Sequence, residues 1–480
     1  MRSIAVLTFS LMCCTAAAQE SAPLAGYANG SFFLRDPHDW FVLFPKGRLQ
    51  VDWYNFLNRG DAKPTVDPNS SGDPRPKNTL FVRRARAELQ GTIFKHFDFH
   101  IAGEFASVPG AGAYGTVADA YIVVNYFDFL QLEAGQFDAP FTLENRTSDK
   151  YFDFMERSVI VRAFGIPQNK ENGAFLFGWL PKRVAYYSLG LANGDGQNFK
   201  DQSNGIAVMG RAFIAPLAPF AHGRRWMEDI WAGGSFWYQH DTNEGGVVGS
   251  NFANLSGATQ NDLAGMSTQG GFGFFSSNYN NGKDTAGNNI REHLAPWGNT
   301  YRAAAELNVP IKKLGLRAEY VWQQVDLAAY FDQANATGTT RTIQHGAQLN
   351  GQGYYVEVYG WILGDVNFLE TPGLEPMPHI KKFAAAPEPK WGLMVAGKYE
   401  FLSFDLNGLA ANDPGKGNYQ IHVAELGVNG WATKHVRLTA NYVMNYITSS
   451  AGTQAPANLQ KNLYYNRAEH ELLFRLAIAL

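Results

Sequence analysis

Apolar and polar residues alternate with a period of two along much of this chain, and helical periodicity is weak throughout. From Trp391 the odd positions read Trp391, Leu393, Val395, Gly397, Tyr399 and Phe401, while Lys398 and Glu400 fall on the even ones. From Tyr301, the series Tyr301, Ala303, Ala305, Leu307, Val309 faces away from Arg302, Ala304, Glu306 and Asn308. The next segment sets Leu316, Ala318, Tyr320, Trp322 against Arg317, Glu319, Val321, Gln323. Two more, Val436–Asn445 and Glu471–Leu480, repeat the scheme with Arg437, Glu471 and Arg475 on the polar phase. All nine charges in these five segments avoid the apolar phase. Side chains two apart share one face of a strand, so the pattern predicts half-apolar strands of about ten residues. Turn signals at Asn193-Gly194, Lys312-Lys313, Asp413-Pro414-Gly415 and Ala432-Thr433-Lys434 separate them.

A soluble β-sandwich also alternates, so the make-up of each face has to decide. Burying Arg317 with Glu319, or Lys398 with Glu400, in a dry core would cost several kcal/mol per ion, whereas a water-filled lumen keeps them hydrated. On the apolar face of the strand from Trp391, aromatics stand at both ends of a Leu/Val/Gly middle. Ten residues tilted by roughly 40° span about 25 Å, the height of a lipid-facing band between two aromatic girdles. A charge on that face costs roughly 2–4 kcal/mol at mid-bilayer, which keeps the phases separate. No stretch after residue 18 approaches the run of apolar residues a helical span needs, and the only other structure that satisfies its backbone in lipid is a closed barrel. The expected fold is all-β: a transmembrane antiparallel β-barrel. With about 460 residues left after the expected signal, sixteen strands leave about 29 residues per strand and connection, while a 22-stranded barrel with a plug fits poorly.

The N-terminus sets the compartment. Arg2, the apolar run Ile4–Met12 and Thr15-Ala16-Ala17-Ala18 read as a secretory signal at residues 1–18, cut before Gln19. The two cysteines, Cys13 and Cys14, fall inside it, so no disulfide, thiol nucleophile or cysteine metal site is expected in the mature chain. Residues 19–46 read as a segment leading into the first strand, 47–480 as the barrel, and the Gly-, Asn-, Ser- and Thr-rich stretch 241–299 as a long outer loop with one or two strands inside. With 17% charged residues, 14% aromatics, a net charge of −3 and no Lys/Arg tract, the composition excludes disorder, a coiled coil and a nucleic-acid partner.

Several runs in order along the chain resemble the phosphate-selective porin O and P family of bacterial outer-membrane proteins. They are Phe41-Val-Leu-Phe-Pro-Lys-Gly-Arg-Leu-Gln-Val-Asp52, Phe81-Val-Arg-Arg-Ala-Arg-Ala-Glu-Leu-Gln-Gly-Thr92 with Phe97-Asp-Phe99, and Val117-Ala-Asp-Ala-Tyr121 followed by Gly135-Gln-Phe-Asp-Ala-Pro-Phe141 and Phe154-Met-Glu-Arg157. Weaker echoes continue at Val208–Arg211, Leu316–Tyr320, Gly353–Val356 and Leu426–Asn429. The resemblance implies a sixteen-stranded homotrimer in the outer membrane, in contact with its lipid, whose third loop, about 138–168 here, folds into the lumen. It also implies an anion constriction formed by the adjacent Arg83 and Arg84, with Arg86 beside them, and by Ser148, Lys150 and Arg157 of the loop. Arg302, Arg317, Arg437 and Arg475, with Arg48, would line the wall. The chain departs from the family pattern at Asn145 (a lysine there), Asp149 (a second serine) and Ala118 (an aspartate); the first two changes make the loop more negative by two charges.

Strict alternation places Arg83 differently, on the outward phase with Ala85, Ala87 and Leu89, where it would snorkel to headgroups. The expected function is passive diffusion of small solutes, phosphate or other anions, without a cofactor. A general or carbohydrate porin is the alternative, with Tyr151, Phe152 and Phe154 as a greasy slide; a secreted glycan-binding β-sandwich is a third. No GxSxG, P-loop, HExxH or dinucleotide turn supports an enzyme.

Overall fold

Strand pairing follows the alternation around a closed circuit. The computed structural model describes residues 24–28, 31–57, 78–106, 115–166, 169–198, 205–241, 266–269, 273–275, 278–283, 289–335, 338–364, 391–408, 416–449 and 466–480. The expected signal at 1–18 and the turn at 413–415 lie outside the described residues. The barrel strands are β1 (Phe41–Phe56), β2 (Thr79–Ile93), β3 (Phe97–Glu104), β4 (Thr116–Phe127), β5 (Leu130–Asp138), β6 (Lys170–Trp179), β7 (Ala185–Ala192) and β8 (Ala207–Ile214). The circuit continues through β9 (Trp231–Asp241), β10 (Asn289–Ile311), β11 (Leu314–Asn335), β12 (Gly338–Leu363), β13 (Gly392–Asn407), β14 (Gly417–Thr433), β15 (Val436–Ser449) and β16 (Asn466–Ala479). Each is antiparallel to its neighbour in sequence, and β16 returns to β1 with Arg475 opposite Asp52 and Ala479 opposite Arg48, so no edge is left open. This is a sixteen-stranded antiparallel β-barrel.

The predicted turns at Lys312-Lys313 and Thr433-Lys434 connect β10 to β11 and β14 to β15, with Lys312 at φ 55° in the tight connection. The barrel begins at Phe41 rather than at 47, because β1 already pairs with β2 there, Phe41 opposite Ile93. Before it, the strands Ala25–Ala28 and Ser31–Arg35 form a hairpin that joins β1 through Leu34 and Arg35. Within the stretch 241–299, Asn278–Lys283 pairs with the first part of β10, so strand occupies part of the expected outer loop; residues 242–265 lie outside the described residues.

The two phases separate as the sequence predicts. On β15, Leu438 is 62% exposed and its neighbour Arg437 4%. Outward residues include Trp53, Tyr301, Tyr320, Trp322, Tyr399 and Phe474, while Arg317, Glu319, Lys398, Glu400, Glu471 and Arg475 are buried on the inner phase.

The inner phase is not polar throughout, contrary to expectation. On β11 to β16 it also carries Val321, Val325, Leu349, Leu402, Phe404, Ile421, Val423, Val443, Ile447 and Leu473, all buried in one cluster with Ile160 and Phe164 of a short helix, α1 (Val159–Phe164). That helix rests on β11, β12 and β13. A Cβ at Gly351 or Gly353 on β12 would collide with Phe164 or Ile160, so glycine at these two positions lets the helix approach the sheet closely. On β11 to β13 these inward apolar residues are covered by α1, and those of β14 to β16 are buried in the same cluster.

Candidate functional site

A β-bulge decides the direction of the basic residues on β2. Gln50 of β1 stands opposite Arg84 and Val51 opposite Val82, so Arg83 is the extra, unpaired residue. The bulge breaks the alternation that would have sent Arg83 to lipid. Instead Arg83 forms a two-pronged pair with Glu156, Nε to Oε1 at 3.0 Å and Nη2 to Oε2 at 3.2 Å. Two successive arginines therefore serve the same side of the sheet.

Arg48 and Arg86 are directly opposite each other across β1 and β2, and Arg84 follows two residues before Arg86. Like charges so placed repel, and acidic partners offset them. Arg48 bonds Glu88 (3.1 Å), Arg86 bonds Glu104 (2.7 Å), and Arg84 donates to Gln50 (2.8 Å). Asp149 then joins all three: it pairs with Arg48, with Arg84 Nε at 2.5 Å, and lies 3.9 Å from Arg86. Across the same space, Lys170 at the start of β6 pairs with Asp119 of β4 (2.5 Å) and Asp138 of β5 (2.9 Å).

These side chains border a cavity of about 400 Å³. Its lining includes six cationic side chains, Arg48, Arg83, Arg84, Arg86, Arg157 and Lys170, against four carboxylates, Glu104, Asp119, Asp138 and Asp149, with Ser148, His100 and Ala118 among the rest. Arg83, Arg84, Arg86, Ser148 and Arg157 were expected here. Lys150 is not among the lining residues; its ammonium lies 5.7 Å from the Tyr151 ring centroid. Lys170, His100, Glu104 and Asp138 were not anticipated. They come from three strands, β3, β5 and β6, and nothing in the local pattern around any one of them marks a shared space.

The segment between β5 and β6 is bound at many points. Thr142 N donates to Ser235 Oγ (3.0 Å), and Leu143 N and Glu144 N donate to the Glu319 carboxylate. Arg317 meets Asp153 (2.6 Å) and Glu357 (2.7 Å), while Asn429 donates to Asp153 O (2.7 Å). Arg437 donates to Phe152 O (2.7 Å), Arg302 to Gly165 O (2.8 Å), and Val159 N to Glu400. Arg475 makes a double bond-pair with Asp52 (2.7 and 2.7 Å), donates to Met155 O (2.5 Å) and reaches Glu156 (3.0 Å). None of the four wall arginines proposed from sequence, Arg302, Arg317, Arg437 and Arg475, lines the cavity; each holds this segment.

Within the segment, Arg157 donates to Glu144 O (3.1 Å) and Thr147 O (3.2 Å) and lies over the Phe152 ring. Asn145 ties the two ends together, its amide donating to Ala139 O (2.9 Å) and Asn169 O (3.1 Å). The position that resembles a lost lysine therefore has a structural occupation. Phe154 packs with Tyr359, Trp361 and Trp431.

The sequence model described as phosphate-selective porin O and P matches residues 65–470. The chain belongs to that family. Membership places it in the bacterial outer membrane. Porin O of Pseudomonas aeruginosa is 28% identical over 174 residues, a match that covers 36% of this chain and 36% of that one. Among solved structures, the outer-membrane expressed OmpT of Vibrio cholerae superposes with a TM-score of 0.48 at 10% identity, covering 93% of this chain and 100% of the other. The anion-selective porin from Comamonas acidovorans gives 0.42 at 10% identity, covering 92% and 99%.

Proposed function

We propose that the protein is a passive pore for small anions, phosphate among them, in which the segment 139–169 lies across the lumen and leaves a conduit against β1 to β6. The observation that carries this reading is the convergence of Arg48, Arg84 and Arg86 on one carboxylate within the cavity. Guanidinium groups so arranged exchange the hydration shell of an oxyanion for charge-assisted N–H donors, and the surrounding carboxylates keep the ion from being held too long to leave. Arg83 would hold the wall of the site through Glu156, and Ser148 and Arg157 would present the loop side. Movement is down a gradient, without cofactor or energy coupling. We carry the homotrimeric assembly over from the family.

The carbohydrate alternative is less well supported. Phe152 and Phe154, two of the three aromatics a sugar slide would need, are buried and occupied by Arg157 and by the Trp361–Trp431 stack.

The test is the reversal potential of the purified protein in a planar bilayer under a KCl gradient, followed by titration of phosphate into the chloride current. Anion preference with saturable phosphate block is the expected result. Equal permeability to both ions without block would overturn the reading in favour of a general pore.

A further inference from the structure

Asp149 holds an unusual position among the carboxylates of the cavity. Glu104 stands on the barrel wall beside Arg86 of the adjacent strand, as Glu88 outside the lining does beside Arg48. Asp149 comes from the segment between β5 and β6, and its two oxygens reach Arg48 and Arg84 on two different strands. Among the described residues it is the one carboxylate in ion-pair contact with Arg84, whose other polar partner is the neutral Gln50. The segment does not depend on Asp149 for its course. Ser235 and Glu319 hold it before this point, and Arg317, Asn429, Arg437, Arg475 and Glu400 hold it after.

We propose that Asp149 is a tethered competitor for the anion seat. Its carboxylate occupies the place between Arg48 and Arg84 that a small oxyanion, two oxygens presented to two guanidinium groups, takes in passing. A permeating ion therefore displaces a covalently attached carboxylate instead of entering an empty site. A group on a short tether competes at an effective concentration of millimolar or more. Anions at micromolar concentration do not displace it, and those at millimolar concentration exchange rapidly. Asp149 thereby sets the affinity of the channel, favouring flux over retention. This inference rests on the anion-pore reading, and its test separates the two.

Asp149→Asn, Asp149→Ser, Asp119→Asn, Arg84→Gln and the double variant Asp149→Asn/Arg84→Gln are compared with the unmodified full chain in planar bilayers. The readouts are the phosphate concentration that half-blocks the chloride current and the reversal potential. Both Asp149 variants should lower the half-blocking concentration by about tenfold or more. Asp119→Asn removes the same charge from the same cavity, but from beside Lys170, and should shift the reversal potential without that gain. In the double variant the gain should vanish. An equal gain in Asp119→Asn, or a gain that survives in the double variant, would reduce the effect to the general field of the pore and overturn the proposal. Unchanged block in both Asp149 variants of an anion-selective parent would overturn it while leaving the anion-pore reading intact. If the parent and all variants lack anion preference, the underlying reading fails. Loss of the folded, heat-modifiable band in both Asp149 variants would make the residue a structural anchor, which also overturns the proposal.

Discussion

Arginines on β1 and β2 and arginines on β10 to β16 share the inner phase of one barrel, yet the structure puts them to different uses. Arg48, Arg84 and Arg86 border open space and meet one another's charge around Asp149. Arg302, Arg317, Arg437 and Arg475 are directed into a folded segment, and three of them donate to its backbone carbonyls while Arg317 meets Asp153. An inward-facing charge on a barrel strand is therefore not automatically in contact with solute. Which wall the segment between β5 and β6 contacts decides whether a guanidinium borders the cavity or holds that segment.

The comparison can be broken most forcefully at Arg475. Arg475→Met would leave Asp52 and Glu156 buried beside an apolar side chain, a loss of about 3–5 kcal/mol, and should lower the urea midpoint of the folded protein sharply. If Arg84→Gln destabilised as much, the division into scaffold and pore arginines would fail. Arg157→Ala removes two charged hydrogen bonds to Glu144 O and Thr147 O and should cost about 1.5–3 kcal/mol, with noisier single-channel current as the loop loosens. Arg84→Gln should act on permeation instead, moving the reversal potential severalfold toward cations in permeability ratio with the melting profile nearly unchanged. Ile160→Val, a methylene lost under α1, should cost about 1 kcal/mol without changing selectivity. The smallest effect is expected for Lys150→Ala: a half-exposed ammonium near Tyr151 is worth less than about 1 kcal/mol, and anion preference should hardly move. A large loss of selectivity there would place Lys150 in the conduit after all.

Much of the barrel was legible because a membrane enforces a local rule. Residues 391–401 expose their odd positions and bury their even ones, as the pattern of Trp391, Leu393 and Val395 against Lys398 and Glu400 requires. The candidate site was legible only in part. Arg84, Arg86, Ser148 and Arg157 reach the cavity as the resemblance implied, but the wall arginines do not, and Lys170 arrives from β6 without any sequence signal. Ion pairs such as Arg317–Asp153 or Arg475–Glu156 join positions far apart in the chain, and periodicity carries no information about them.

By itself, then, the amino-acid sequence determined the two phases of the wall, because lipid penalises a misplaced charge at every residue, and the tight turns, because Lys312-Lys313 and Ala432-Thr433-Lys434 interrupt that rhythm. Tertiary structure alone decided that Arg83 turns inward at a bulge, that α1 fills the inner face of β11 to β13 with apolar contacts, and that Asp149 sits among three arginines. Each of these depends on which distant strand lies opposite, and strand closure, not local alternation, settles that.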